Sequence, residues 1–257
     1  MVKLTPKPMV KAKTAPMFYV ILIVIFVGGA GALGYMATRG KPATVTTVDP
    51  NLPPLQAEGY LKGDPNAPVV LIEFGDFECP QCGKFATVTE PDVRKYLIDS
   101  GKVAIRYFDY PLAMHPNTWE ASHTAACANE QGRFWEMHDM LYNGQLEWNG
   151  QATSNPKGVF KGYATQLGLN VDQWASCYDT RKYQRQLDAN KAEGDRRRVG
   201  GTPTFYIGNR MLSGNATFDE LRREIETATA AAAKASAGQA PAGKAPAGKA
   251  PATHKAP

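Results

Sequence analysis

Short apolar runs alternate with stretches of helical spacing along most of the chain. Val69-Val-Leu-Ile-Glu-Phe74 is a continuous apolar run broken by one acid and ended at Gly75, the pattern of a strand buried on both faces. Gly83–Ser100 then predicts a helix, kinked at Pro91 because proline removes a backbone donor. Lys102-Val-Ala-Ile-Arg-Tyr-Phe108 predicts a second strand. Strand, helix and strand in that order imply a right-handed crossover and a parallel pair. From His115 to about Arg198 the spacing turns helical. It predicts helices over Trp119–Glu130, Phe134–Tyr142 and Phe160–Leu167, one opened by Asn170 with Gln173, and a longer charged one over Thr180–Arg198. Strand character returns at Thr204-Phe-Tyr-Ile-Gly208, turns at Gly208-Asn209 and resumes over Met211–Ser213 before a closing helix, Phe218–Ala228. The order is βαβ, an all-helical block, then ββα, an α/β class.

The two ends obey other rules. No charged residue occurs from Thr14 through Thr38, and Lys3, Lys7, Lys11 and Lys13 precede that stretch. Met17–Ala37 supplies the roughly 20 apolar residues that cross a ~30 Å hydrocarbon layer, and the lysines put the N-terminus in the cytoplasm. A cleaved signal peptide is the competing reading, with Ala30-Gly31-Ala32 as its cleavage site. The apolar run continues past that site to Ala37, which favours a retained anchor; both readings export the downstream domain. The expected division is therefore 1–16 a basic cytoplasmic end, 17–37 a transmembrane signal-anchor, 38–54 an extracytoplasmic linker, and 55–228 the folded domain with a helical insertion at about 115–198. Residues 229–257, with their Ala-Pro-Ala-Gly-Lys repeats, are expected to be a disordered tail.

Charge respects the same division. Of 29 Lys and Arg, six lie in residues 1–41 and four from Ala228 onward, so 19 bases face all 24 acids in the middle. The overall +5 belongs to the ends, and an acidic domain argues against nucleic acid as a partner.

Candidate chemistry concentrates at Cys79-Pro80-Gln81-Cys82. The pair comes directly after a buried strand and opens a helix, where free N–H groups and the helix dipole favour a thiolate at Cys79. Pro80 suits the first helical turn, and Cys82 lies one turn deeper. A structural disulfide or half a zinc site are the other readings of such a pair. No second pair stands at zinc-site spacing, and His123 with Cys127 four residues on, and His138 beyond, do not complete one, so no metal is expected.

Glu73-Phe-Gly-Asp-Phe-Glu-Cys-Pro-Gln-Cys82, with Gly201-Thr-Pro-Thr-Phe205 far downstream, resembles the DsbA family of thioredoxin-fold thiol–disulfide oxidoreductases. Ala125–His138 resembles that family's helical insertion, and the likeness covers about Leu55–Ala228. It implies a thioredoxin fold with the insertion between its halves, and catalysis through a Cys79–Cys82 redox pair without an organic cofactor. Pro203 is then expected to be cis and to face the cysteines, with Thr202 offering its backbone to substrate. Glu73, a carboxylate in an apolar strand, is expected to relay protons beneath the pair; a strand-end acid turned to solvent is the plainer reading. Asp76 and Glu78 are expected to tune the local field, and His115 to line the site's edge or simply to sit in a loop. Cys127 and Cys177 are candidates for a structural disulfide, since relatives include both bridged and free forms. Arg196-Arg-Arg198 reads as the exposed end of a helix, and Trp119, Trp135, Trp148 and Trp174 as packing residues.

The implied activity is dithiol oxidation of reduced exported proteins, with reoxidation by a membrane partner of the DsbB or vitamin-K-epoxide-reductase-like type. An exported reductase or isomerase is the alternative, because Pro-Gln lacks a cationic histidine between the cysteines. A tethered chaperone or binding module is a further one.

Overall fold

The computed structural model describes residues 16–38, 43–49 and 53–238. The chain divides into two units, residues 1–41 and the remainder. The first contains helix α1, Pro16–Thr38. Its side chains from Met17 to Val27 are exposed, and among the described residues no helix is long and apolar enough to cross a membrane. The expected span over 17–37 is helical, and that it crosses a membrane is an expectation of the sequence alone. The basic end over 1–15 and the tail from 239 lie outside the described residues.

In the second unit β1 (Thr44–Thr47), β2 (Tyr60–Lys62), β3 (Val70–Gly75), β4 (Ala104–Asp109), β5 (Thr204–Ile207) and β6 (Arg210–Ser213) form one sheet in the order β1-β6-β5-β3-β4-β2. The β3–β4 pair is parallel, as the strand–helix–strand order requires, and the other pairs are antiparallel. Between β3 and β4 runs α2, built from Pro80–Lys84, π-helical Phe85–Thr89, Glu90–Val93 and π-helical Arg94–Ile98. Pro91 lies between the two π turns, where loosened backbone bonding accommodates its missing donor.

Alternation in the strands explains the layers. Leu71, Ile105, Phe205 and Ile207 pack against Phe85, Val93 and Leu97 of α2 and against Leu221 and Ile225 of the closing helix. Phe74, Phe108 and Tyr206, on the other face, meet Tyr110 and Val199. Each such side chain contributes about 1.5–3 kcal/mol by leaving water.

The insertion comprises α3 (Thr118–Asn129), α4 (Phe134–Asn143), α5 (Gln145–Trp148), α6 (Lys157–Gln166), α7 (Val171–Asp179) and α8 (Gln184–Arg196). Trp148 and Trp174 are fully buried in its core, while Trp119 and Trp135 pack at its margin. Asn170 caps α7 by accepting from the Gln173 N–H at 2.9 Å.

Four expectations change. Thr44–Thr47, read as tether, is an edge strand, because a β-branched run meets the open side of β6. The expected helix over Thr180–Arg198 starts only at Gln184, since Thr180 ends α7 and Arg181 turns with φ 48°. Helix α5 and strand β2 are additions to the expected elements; four and three residues carry too little periodicity to be read. Finally, α9 (Phe218–Gly238) continues past Ala228 into the stretch expected to be disordered. Alanine is the strongest helix former, so a segment with no core to join still continues the helix.

Candidate active site

Cys79 is the N-cap of α2, with Pro80 at the first helical position. Two acids hold the preceding loop. Asp76 accepts hydrogen bonds from the Glu78 N–H at 2.8 Å, the Leu112 N–H at 2.8 Å and the Thr118 hydroxyl at 2.5 Å. Its other close partner is His115 Nδ1, at 2.7 Å. Glu78 accepts from the Asn117 N–H and the Gly150 N–H, both at 2.6 Å. A side chain at Gly150 would strike Pro116 at 2.2 Å, so only glycine brings that N–H so near. The two acids expected to tune the field thus tie the cysteine loop to the insertion.

Gln145, the first residue of α5, is a site residue that the sequence does not single out. Its Nε2 donates to the carbonyls of Phe77 at 2.7 Å and Cys79 at 3.0 Å. A lone glutamine in a polar stretch carries no signal of such a role.

Cys79 and Cys82 are free thiols, 5% and 0% exposed. A hydrogen bond from Cys82 is the main influence bringing the Cys79 thiol down to about 6; burial opposes it, and Thr202 and the N–H groups of Cys82 and Gln81 assist. Burial first, then the bond to Cys79, pushes the Cys82 thiol well up. The pair shares one proton, and Cys82 keeps it. Cys79 Sγ lies 3.4 Å from the Thr202 carbonyl, to which the thiol donates when it carries a proton. The Thr202–Pro203 bond is cis and Pro203 is buried; the contact with Cys79 is made by the Thr202 carbonyl.

Glu73 is 1% exposed in the middle of β3, and neither carboxylate oxygen has a hydrogen-bond partner. Burial, with the nearby charge of Glu90, raises its carboxyl well above the usual range. It faces the interior rather than solvent, and its charge acts on the Cys82 thiol. His115 is held above the ordinary imidazole range first by its bond to Asp76, with a contribution from the Cys79 charge. The loop between β4 and α3 thereby supplies a histidine that the Pro-Gln dipeptide lacks.

Cys127 and Cys177 form a disulfide joining α3 to α7, with an S–S distance of 2.01 Å. Cys127 is thus not free to join His123, whose Nε2 lies 3.0 Å from Gln184 Oε1. Among the described residues no group of three or more His, Cys, Asp or Glu is arranged to hold a metal. Of the arginine run, Arg196 and Arg197 both pair with Glu193, at 2.5 and 2.6 Å, while Arg198 turns the chain with φ 60°.

The family described as Thioredoxin matches residues 56–227. The chain belongs to this family. Disulfide bond formation protein D of Bacillus subtilis is 27% identical over 183 residues, covering 65% of this chain and 77% of that protein. Crystalline alpha-DsbA1 of Wolbachia pipientis superposes with a TM-score of 0.63 at 20% identity, covering 72% of this chain and 96% of that one. The relative named Na(+)/H(+) antiporter NhaA 3, from Salinispora tropica, is 32% identical over 197 residues, which are 76% of this chain. The matched part is only 28% of that antiporter, so the thioredoxin-family domain there is one portion of a longer protein. The likeness to the solved structure extends to the mixed α/β fold described above.

Proposed function

We propose that the chain is an exported thiol–disulfide oxidoreductase acting as a dithiol oxidase on reduced exported proteins. The observation that carries this reading is the Cys79 thiol at about 6 beside a shielded Cys82. At pH 7 a thiol at about 6 is ionised by roughly tenfold, about 1.4 kcal/mol of preference for the reduced pair. For a two-electron couple that is about 30 mV toward oxidising power. His115 and the α2 N-terminus add positive potential at the same place.

A substrate thiolate attacks the Cys79 sulfur of the Cys79–Cys82 disulfide, and Cys82 leaves as a thiolate. Glu73, kept protonated by burial, gives it the proton. A second substrate thiolate attacks the substrate sulfur of the mixed disulfide and expels Cys79 as a thiolate. The substrate thus loses two electrons and two protons and gains a disulfide. Thr202, beside the Cys79 sulfur, aligns the extended client through its backbone. Return of the pair to the disulfide requires a membrane partner of the DsbB or vitamin-K-epoxide-reductase-like type to accept the electrons.

The uncharged run between Lys13 and Arg39 supports a single N-terminal membrane anchor with the domain outside. Occurrence of a similar domain within a longer antiporter-named protein fits a domain kept at a membrane.

A glutathione redox titration, with thermal unfolding of both forms, tests the direction. We expect the oxidised form to melt below the reduced form. The reverse order assigns the domain to disulfide reduction or isomerisation. Full activity of Cys79→Ser would leave only a binding or chaperone role.

A further inference from the structure

Beneath the cysteines lies a second group of ionisable side chains that the proposed thiol chemistry does not use. Glu90 of α2 and His138 of α4 are both fully buried. Arg94 holds Glu90 Oε1 at 2.8 Å and spans Asp139 with bonds of 2.6 and 2.7 Å. His138 Nδ1 lies 2.9 Å from Asp139 Oδ1. Arg94 Nη2, a donor only, is farther from Nδ1 at 3.4 Å; the nearer carboxylate only accepts, so Nδ1 carries the hydrogen and Nε2 presents its lone pair. That Nε2 faces Glu90 Oε2 at 3.9 Å. Neither atom has another partner, and both oxygens of Glu73 share that condition.

Four unpartnered buried polar atoms in one region are costly, at about 1–3 kcal/mol each. A purely structural ion-pair lattice would satisfy them. Aromatic rings flank His138: it packs against Phe77, Tyr107, Trp135 and Tyr142. Tyr107 stands directly across from Glu73 in the sheet. At the other end Asp139 keeps 43% of its side chain in solvent. There, with Arg94, Tyr142 and Thr87, it lines an open cavity of about 360 Å³.

We propose that Glu90, His138 and Asp139 are the outer part of a proton path linking Glu73, under the cysteine pair, to solvent. This rests on the oxidoreductase reading above and names the route by which Glu73 is recharged. For Cys82 to lose its proton, protonated Glu73 first passes its own through Glu90 to His138 Nε2, and the carboxylate so formed takes the proton of Cys82. His138 then releases the Nδ1 proton at Asp139, and the next proton to enter reverses the sequence. No electron moves along the path. Its residues act through Glu73 and touch no client. Small side-chain shifts close the 3.9 Å gap to hydrogen-bond distance.

Several charges bear on the path. Cys82, Tyr107 and Tyr142 feel the Glu73 charge, and Arg94 lines the cavity at its mouth. Lys62 of β2 also acts on Arg94, Asp139, Glu90 and Glu136.

The test is the reaction of the reduced full-length chain with glutathione disulfide, quenched in acid and resolved by mass spectrometry. Formation of the Cys79–glutathione mixed disulfide is the first step, and its resolution by Cys82 requires Cys82 to lose its proton. In His138→Gln and Asp139→Asn we expect unchanged formation but resolution slowed about tenfold at pH 6.5, a modest share of what general acid–base groups contribute. Added imidazole should restore the rate by carrying protons at the cavity mouth. Asp139→Asn alters a rim residue and serves where His138→Gln fails to fold. Resolution at the native rate in both variants, or a slow rate that imidazole leaves unchanged, overturns the path alone. A native chain that forms no mixed disulfide overturns the oxidoreductase reading, and the path with it.

Discussion

At the level of single residues, the two cysteines differ because one caps a helix and the other lies a turn inside it. The Cys79 thiol at about 6 predicts that alkylation of the reduced chain by iodoacetamide rises with a midpoint near that pH. Peptide mapping should find the label on Cys79, with Cys82 unmodified until the chain unfolds. Because the folded value is depressed, the reduced form gains stability as pH rises from about 6 toward the ordinary thiol range. Glu73 behaves oppositely. Its carboxyl is raised, so the folded chain holds a proton that the unfolded chain releases. Stability is full below the ordinary carboxylate range and falls as pH rises through and above it. Glu73→Gln should therefore be more stable than the native chain at pH 8, by about 1–3 kcal/mol in urea unfolding, and nearly equal to it at pH 4. A loss at pH 8 would mean that the carboxylate is paired.

At the level of elements, the loop before α2 depends on residues from far along the chain. Gln145 contributes two bonds to that loop, each worth about 1 kcal/mol. Gln145→Ala should lower stability by about 1–3 kcal/mol in thermal or urea unfolding and move the Cys79 alkylation midpoint. Asn170→Ala, which removes only the α7 cap, should cost about 1 kcal/mol and leave that midpoint in place. The contrast separates loss of stability from loss of positioning. Long periodic elements such as β3, β4 and α3 are legible in the sequence because burial repeats along them. Helix α5 is not, since its four residues are ordered by Trp148 entering the core and by Gln145 reaching the cysteine loop.

At the level of the whole molecule, the insertion has its own cross-link. Cys127 and Cys177 close a loop of 50 residues, for which chain entropy sets a contribution of roughly 4 kcal/mol. The double variant Cys127→Ala/Cys177→Ala should lose about 2–4 kcal/mol in non-reducing urea unfolding, while alkylation of Cys79 in the reduced protein stays fast. Loss of Cys79 reactivity at equal stability would instead assign the bridge a part in shaping the site.

The order of strands and helices, the expectation of export and the place of Cys79 at a helix start all come from local patterns: apolar period, charge-free length and the position of proline. They are properties of neighbours along the chain. The meeting of Thr202 with Cys79, the sharing of one proton between two thiols, and the grip of Asp76, Glu78 and Gln145 on the loop belong to the tertiary structure. So does the burial of Glu73 beside Glu90. Each depends on distances between residues far apart in sequence, and burial changes a group's charge preference only once the fold has removed it from water.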